Sequence, residues 1–137
     1  MNTPRAVKDY LAGLIPRLSQ YSSRLDNLAL LTDQPWVKVN TLEGKVVYVF
    51  RSGQNELLIS RDGSVNTCRW EYLETMDSLL IEENEEKRLF KQGFFDESAM
   101  ILRKDGQSEY LIFANENKTK LRGKKEIADY LNRKYIL

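Results

Sequence analysis

The chain contains no histidine. That absence excludes a Ser-His-Asp triad, a Cys-His dyad, an imidazole general base and every histidine-ligated metal site. Cys68 is the only cysteine. It cannot form an intramolecular disulfide, and alone it cannot build a thiolate zinc site. No apolar run approaches the roughly 20 residues that a membrane-spanning helix needs. Charge of one sign is not in excess: 21 Lys and Arg against 20 Asp and Glu leave a net charge of +1. That balance argues against nucleic-acid binding through bulk charge. The start, Met1-Asn2-Thr3-Pro4-Arg5, leads into a charged amphipathic stretch and not into the apolar core of an export signal. A cytoplasmic protein is expected, and Asn117-Lys118-Thr119 then matches a glycosylation sequon only by coincidence.

What is present points to one folding domain over residues 1–137. The chain is 42% hydrophobic and 30% charged, enough apolar material to build a core. Residues 1–33 read as a helical arm. Thr3 can cap it, and Pro4 suits its first position, where the missing N–H costs nothing. Val7, Leu11, Leu14, Leu18, Tyr21, Leu25 and Leu28 are spaced by alternating fours and threes, a heptad seam. The seam either docks on the rest of the chain or pairs two chains as a homodimer through the N-terminal helix. Pro16 predicts a kink or two helices.

From Trp36 to Ala114 the pattern changes to short strands and turns. Strands are predicted at Trp36–Asn40, Lys45–Arg51, Glu56–Ser60, Val65–Tyr72, Ser78–Glu82, Lys87–Phe90, Ala99–Arg103 and Tyr110–Ala114. Asp62-Gly63 and Asp105-Gly106 are favoured hairpin dipeptides; Ser52-Gly53 and Glu43-Gly44 are weaker ones. Cys68, Trp70 and Tyr72 alternate with Thr67, Arg69 and Glu71, so that strand has one wet face. Val46–Phe50, Met100–Leu102 and Tyr110–Phe113 are apolar on both faces and must be covered on both. A helix over Lys124–Leu137, with Ile127, Tyr130, Leu131 and Tyr135 on one stripe, is an obvious cover. The fold class is therefore α+β and mainly β: an antiparallel meander of about eight strands forming a curled sheet or barrel, flanked by the arm and a C-terminal helix.

The order of landmarks carries a resemblance. Trp36 opens the first strand; Tyr48-Val49-Phe50, Glu56-Leu57-Leu58-Ile59-Ser60 and a turn at Gly63 follow. Trp70-Glu71-Tyr72 and Ser78-Leu79-Leu80-Ile81 come next. From Trp36 to Ala114 this pattern resembles the small lipocalin-like barrels of uncharacterised bacterial proteins. The chain departs from them in lacking the export signal and in placing Cys68 where a glycine is common. The resemblance implies an antiparallel barrel and no catalytic residues. A pleckstrin-homology-like barrel is the next nearest pattern.

The candidate sites follow from residue type. Trp36, Tyr48, Trp70 and Tyr72, with Phe50 and Tyr110, either line a ligand pocket or fill the interior. Residues 117–137 hold seven basic and two acidic residues, a surplus of five in a chain whose remainder has a deficit of four. Lys118, Lys120, Arg122, Lys124 and Lys125 form a patch for phosphate, nucleic acid or an acidic partner, or else a solvated linker and helix. No aromatic residue interleaves Lys118 to Lys125, which weakens a single-strand reading. Glu82, Glu83, Glu85 and Glu86 lack the spacing and glycine of a calcium loop and read as a charged turn. Asp96 and Glu97, after Phe94-Phe95, are adjacent, and adjacent residues on a strand point to opposite faces, so they are not expected to converge as an acid/base pair. Cys68 reads as a core thiol. The expected function is a non-enzymatic interaction or small-ligand-binding module without a cofactor, a metal or a membrane. The alternative is a nucleic-acid-associated protein using residues 118–125.

Overall fold

A computed structural model describes residues 4–39, 44–107, 109–121 and 123–137. The predicted cap Thr3, the strand end Asn40, the turn residue Glu43 and the basic Arg122 lie outside the described residues, as does the side chain of Val7. In chain order the elements are α1 (Pro4–Leu18), a 3-10 turn (Ser19–Tyr21) and α2 (Leu28–Leu31), then eight strands. The strands are β1 (Trp36–Lys38), β2 (Val46–Phe50), β3 (Glu56–Arg61), β4 (Ser64–Leu73), β5 (Ser78–Glu83), β6 (Glu86–Phe95), β7 (Ala99–Lys104) and β8 (Tyr110–Asn115). The chain ends in α3 (Lys124–Leu131) and a π-helical turn (Asn132–Ile136). Among the described residues, no helix is long and apolar enough to cross a membrane.

Each strand pairs antiparallel with the next, and β1 closes on β8 through Trp36 opposite Asn115, Val37 opposite Ala114 and Lys38 opposite Phe113. The sheet is therefore a closed barrel with no free edge. Asp62-Gly63 turns β3 into β4 with both residues at positive φ, as the twist of a two-residue hairpin requires. Asn84 and Glu85 make the β5–β6 turn with positive φ and no glycine.

Alternation puts Val46, Tyr48 and Phe50 of β2, Leu57 and Ile59 of β3, Cys68 and Trp70 of β4, and Leu79 and Ile81 of β5 into one interior cluster. In β6 the parity changes. Gln92 pairs with Leu102 but Phe94 pairs with Ile101, so Gly93 is an extra residue, a bulge. The bulge turns Phe95 inward with Met100 and Phe94 outward with Ile101. A Cβ on Gly93 would stand 3.1 Å from the Ile101 carbonyl oxygen, so glycine suits this crowded spot.

The outward apolar residues form a second cluster. Phe94, Ala99, Ile101, Ile112 and Ala114 of the barrel meet Leu11, Leu14 and Leu18 of α1 and Ile127, Ala128 and Leu131 of α3. Both terminal helices thus cover the outer face of strands that are apolar on both sides. The heptad seam does not run on as one stripe. Pro16 sits inside α1, which ends at Leu18 two residues later. Tyr21 and Leu28, at 44% and 43% exposure, leave the seam. Leu25 and Leu31 instead enter the interior cluster, where they close one end of the barrel. Gln92 anchors this plug: its Oε1 accepts the Leu25 N–H at 3.0 Å, and its Nε2 donates to Ser22 Oγ and to the Ser23 carbonyl, each at 2.7 Å.

Candidate functional site

The residues expected to line or fill a pocket divide. Trp36, Tyr48 and Trp70 belong to the interior cluster, with Phe50, Phe95 and Phe113. Ring contacts connect them: Tyr48 to Phe113 at 4.9 Å, Phe50 to Trp70 at 5.4 Å, and Trp36 to Phe95 at 5.8 Å. These separations are those of favourable tilted and edge-to-face pairs. The indole N–H groups are used within the chain. Trp36 Nε1 donates to the Leu31 carbonyl at 2.9 Å, and Trp70 Nε1 to the Arg51 carbonyl at 3.3 Å. Tyr72 packs at the margin of the cluster and donates its hydroxyl to Asp77 Oδ1 at 2.8 Å. Tyr110 packs against the outer cluster, away from the interior rings, because β8 alternates and Phe113 takes the inward parity. Cys68 is buried beside Trp70, and burial first, then the Glu83 carboxylate, push its thiol up. It stays a neutral core thiol at neutral pH.

A cleft of about 220 Å³ lies at the rim of the barrel, between α1, the end of β1, the start of β8 and the start of α3, where members of the outer cluster meet Leu111, which packs against the interior one. Leu11, Val39, Leu111 and Ile112 give it an apolar lining, and Lys38, Lys124, Glu109 and Tyr110 add polar groups. Sequence reading missed this set, because its members are scattered over four elements. The available signals were Tyr110, among the aromatic pocket candidates, and Lys124 in the basic segment. Among the described residues, Lys118, Lys120 and Lys125 do not line it. Lys118 and Lys120 are exposed, and Lys125 forms an ion pair with Asp129 at 3.1 Å.

Asp96 and Glu97 overturn the expectation that they stay apart. They lie in the turn between β6 and β7, off the strand, so the alternation rule does not apply to them. Both carboxylates reach Lys134 Nζ, at 3.4 Å and 2.8 Å. Asp96 is only 3% exposed. Its Oδ1 accepts the Ser98 and Ala99 N–H groups, and its Oδ2 accepts the Tyr135 hydroxyl at 2.5 Å. Tyr135 also stacks on Tyr21 and meets the edge of Phe94. The result is a clasp that fastens the C-terminal turn to the barrel. Burial first, then the Asp96 bond, push the Tyr135 phenol well up. Burial works against the Lys134 charge, but the bonds to Glu97 and Tyr130 prevail and hold it protonated to higher pH. A tyrosine or lysine acting as base or nucleophile needs the opposite shift.

Two members of the acidic run are paired, Glu86 with Arg88 and Glu83 with Arg61. Arg61 holds Glu83 at 2.8 Å, and this bond, with Asn66 beside it, keeps the Glu83 carboxyl below its usual range. Among the described residues no group of three or more acidic or thiol side chains converges as a metal site would require.

The chain matches no protein-family model, no curated protein and no solved structure.

Proposed function

We propose that the chain is a non-enzymatic, lipocalin-like binding module that meets its ligand or partner on its outer surface. The observation carrying this reading is the packed interior: Trp36, Phe50, Phe95 and Phe113 are fully buried there, and their rings touch one another or Tyr48 and Trp70. A barrel of about eight strands has room for its side chains or for one small ligand. Here aromatic side chains take that room. The cleft at the barrel rim, lined by as many polar as apolar residues, is a small concave place on the surface for such a contact. The pKa directions in the Asp96 clasp favour a structural role for the densest polar cluster.

A melting experiment with benzene tests the reading. A ligand that binds the folded state raises the melting temperature by mass action, and benzene enters dry apolar cavities. Benzene is expected to leave the melting temperature unchanged; a clear rise would mean that the barrel is a container.

A second reading rests on the exposed Lys118 and Lys120 beside Lys124 and Lys125: association with nucleic acid through phosphate contacts. Titration with labelled RNA and DNA at two salt concentrations decides it. Binding that weakens steeply with salt supports it, and no binding at low salt ends it.

A further inference from the structure

We infer that the C-terminal segment 124–136 is a hinged strap that lifts off the closed barrel as one unit, with Asp96 and Glu97 as its catch. This stands on the clasp geometry and is independent of any ligand. The catch is built without the strap. Asp96 donates its N–H to the Ala99 carbonyl at 2.9 Å, and its Oδ1 accepts the Ser98 and Ala99 N–H groups. Asn115 of β8 donates its Nδ2 to the Glu97 carbonyl at 3.1 Å and its N–H to the Ser98 carbonyl at 2.9 Å. The turn thus keeps its shape when Asp96 Oδ2 and the Glu97 carboxylate exchange their strap partners for water.

The strap is held at one place. Among the described residues, the side-chain hydrogen bonds and ion pairs that tie residues 124–137 to the rest of the chain all end on Asp96 or Glu97. They come from Lys134 and Tyr135, at the far end of the segment. The bonds from Lys125 to Asp129 and from Lys134 to Tyr130 stay inside it and are kept when it moves. At the near end Gly123 precedes α3 without a side-chain cap, and such element-terminal positions serve as hinges. Along its length the strap lies chiefly on α1, and Ile127, Ala128 and Leu131 complete the outer cluster. The interior cluster runs from Leu25 to Phe113 and the sheet from Trp36 to Asn115, so neither draws on the strap. Lifting it leaves the barrel, its closure and its plug in place. It uncovers the outer cluster, whose Leu11 and Ile112 are only 1% and 2% exposed in the closed form.

The test is native-state hydrogen exchange of the full chain across a urea series. The α3 amides from Ile127 to Leu131 are expected to exchange at least about tenfold faster than the slowest amides of β3–β5. Their urea slope is expected to be smaller, since an opening that exposes part of the molecule responds less to denaturant. Two variants then separate strap from barrel. Tyr135→Phe keeps the ring that stacks on Tyr21 and removes the Asp96 bond. It is expected to speed every α3 amide from Ile127 to Leu131 by one common factor, about fivefold. Ile59→Val trims the interior cluster and is expected to speed the β3–β5 amides about fivefold while leaving the α3 amides unchanged. The inference is overturned if the α3 amides share the protection and urea slope of the strands, or if Ile59→Val speeds both alike, since α3 then opens only with the whole fold. It is also overturned if Tyr135→Phe leaves Ile127–Leu131 unchanged or speeds only residues from Asn132 onward, the signature of a frayed end.

Discussion

Gly93 and Asp96 decide how β6 leaves the sheet. Any larger residue at Gly93 presses on the Ile101 carbonyl and the Ile101 side chain, at 3.1 and 3.2 Å from the first added carbon. Gly93→Val is expected to cost about 1–3 kcal/mol as overpacking, read as a lower urea midpoint. Asp96 satisfies two backbone N–H groups, the Tyr135 hydroxyl and Lys134 in a buried setting. Asp96→Ala orphans those donors and is expected to cost about 3 kcal/mol. Glu97→Ala removes a carboxylate that is 45% exposed and is expected to cost no more than about 1 kcal/mol. The same urea series against pH has two edges. Glu97, held down first by its bond to Lys134, and Glu83, held down first by Arg61, stabilise the fold fully above their unfolded pKa. That stability is lost as pH falls below about 4.3 and through their folded values. Tyr135 and Lys134 are shifted up, so their stabilisation is complete below about pH 10 and fades above it. A plateau between these edges is expected; a stability that changes through neutral pH would contradict it.

At the scale of elements, the amphipathic arm shows where a periodic pattern stops being informative. Leu18 and Leu28 are both positions of one heptad seam. Leu18 is wholly buried with the outer cluster of α3 and the barrel, while Leu28 begins the short α2 and is exposed. Leu18→Ala is expected to cost about 2–5 kcal/mol and Leu28→Ala within about 0.5 kcal/mol, measured by thermal or urea unfolding. A coiled-coil seam would make the two costs similar. The strands were legible because each carries its own signal, alternation or a doubly apolar run between turn dipeptides. All eight predicted strands are present, with ends that differ by a residue or two except in β6. There the expected Lys87–Phe90 extends to Phe95, since the ladder continues past Lys91 and Gln92 through a bulge at Gly93.

At the scale of the molecule, the closed barrel depends on segments far apart in sequence. β1 and β8 join the two ends of the sheet through three residue pairs, and the 22–31 segment plugs the barrel with Leu25 and Leu31. Removing residues 1–33 takes away that plug and the α1 cover together. The truncated chain is expected to lose cooperative unfolding and to bind a hydrophobic dye, both signs of exposed apolar surface. A cooperative transition at an unchanged midpoint would show that the arm is only an appendage. Because so many contacts are non-local, refolding of the full chain is expected on the millisecond-to-second scale of β-barrels, followed by stopped-flow fluorescence of Trp36 and Trp70.

The amino-acid sequence by itself determined the strand count, the antiparallel order, the apolar character of both faces of β7 and β8, and the lack of imidazole chemistry. Residue type and period encode these locally, and the hairpin turns between successive strands carry the antiparallel order. Tertiary structure alone decided which face of β6 turns inward, because the Gly93 bulge depends on the crowding made by Ile101 across the strand pair. It alone brought Asp96 and Glu97 together on Lys134, because a turn releases side chains from strand alternation. It alone gathered Leu11, Val39, Ile112 and Lys124 around one cleft, because barrel closure places the first and last strands side by side beneath both terminal helices.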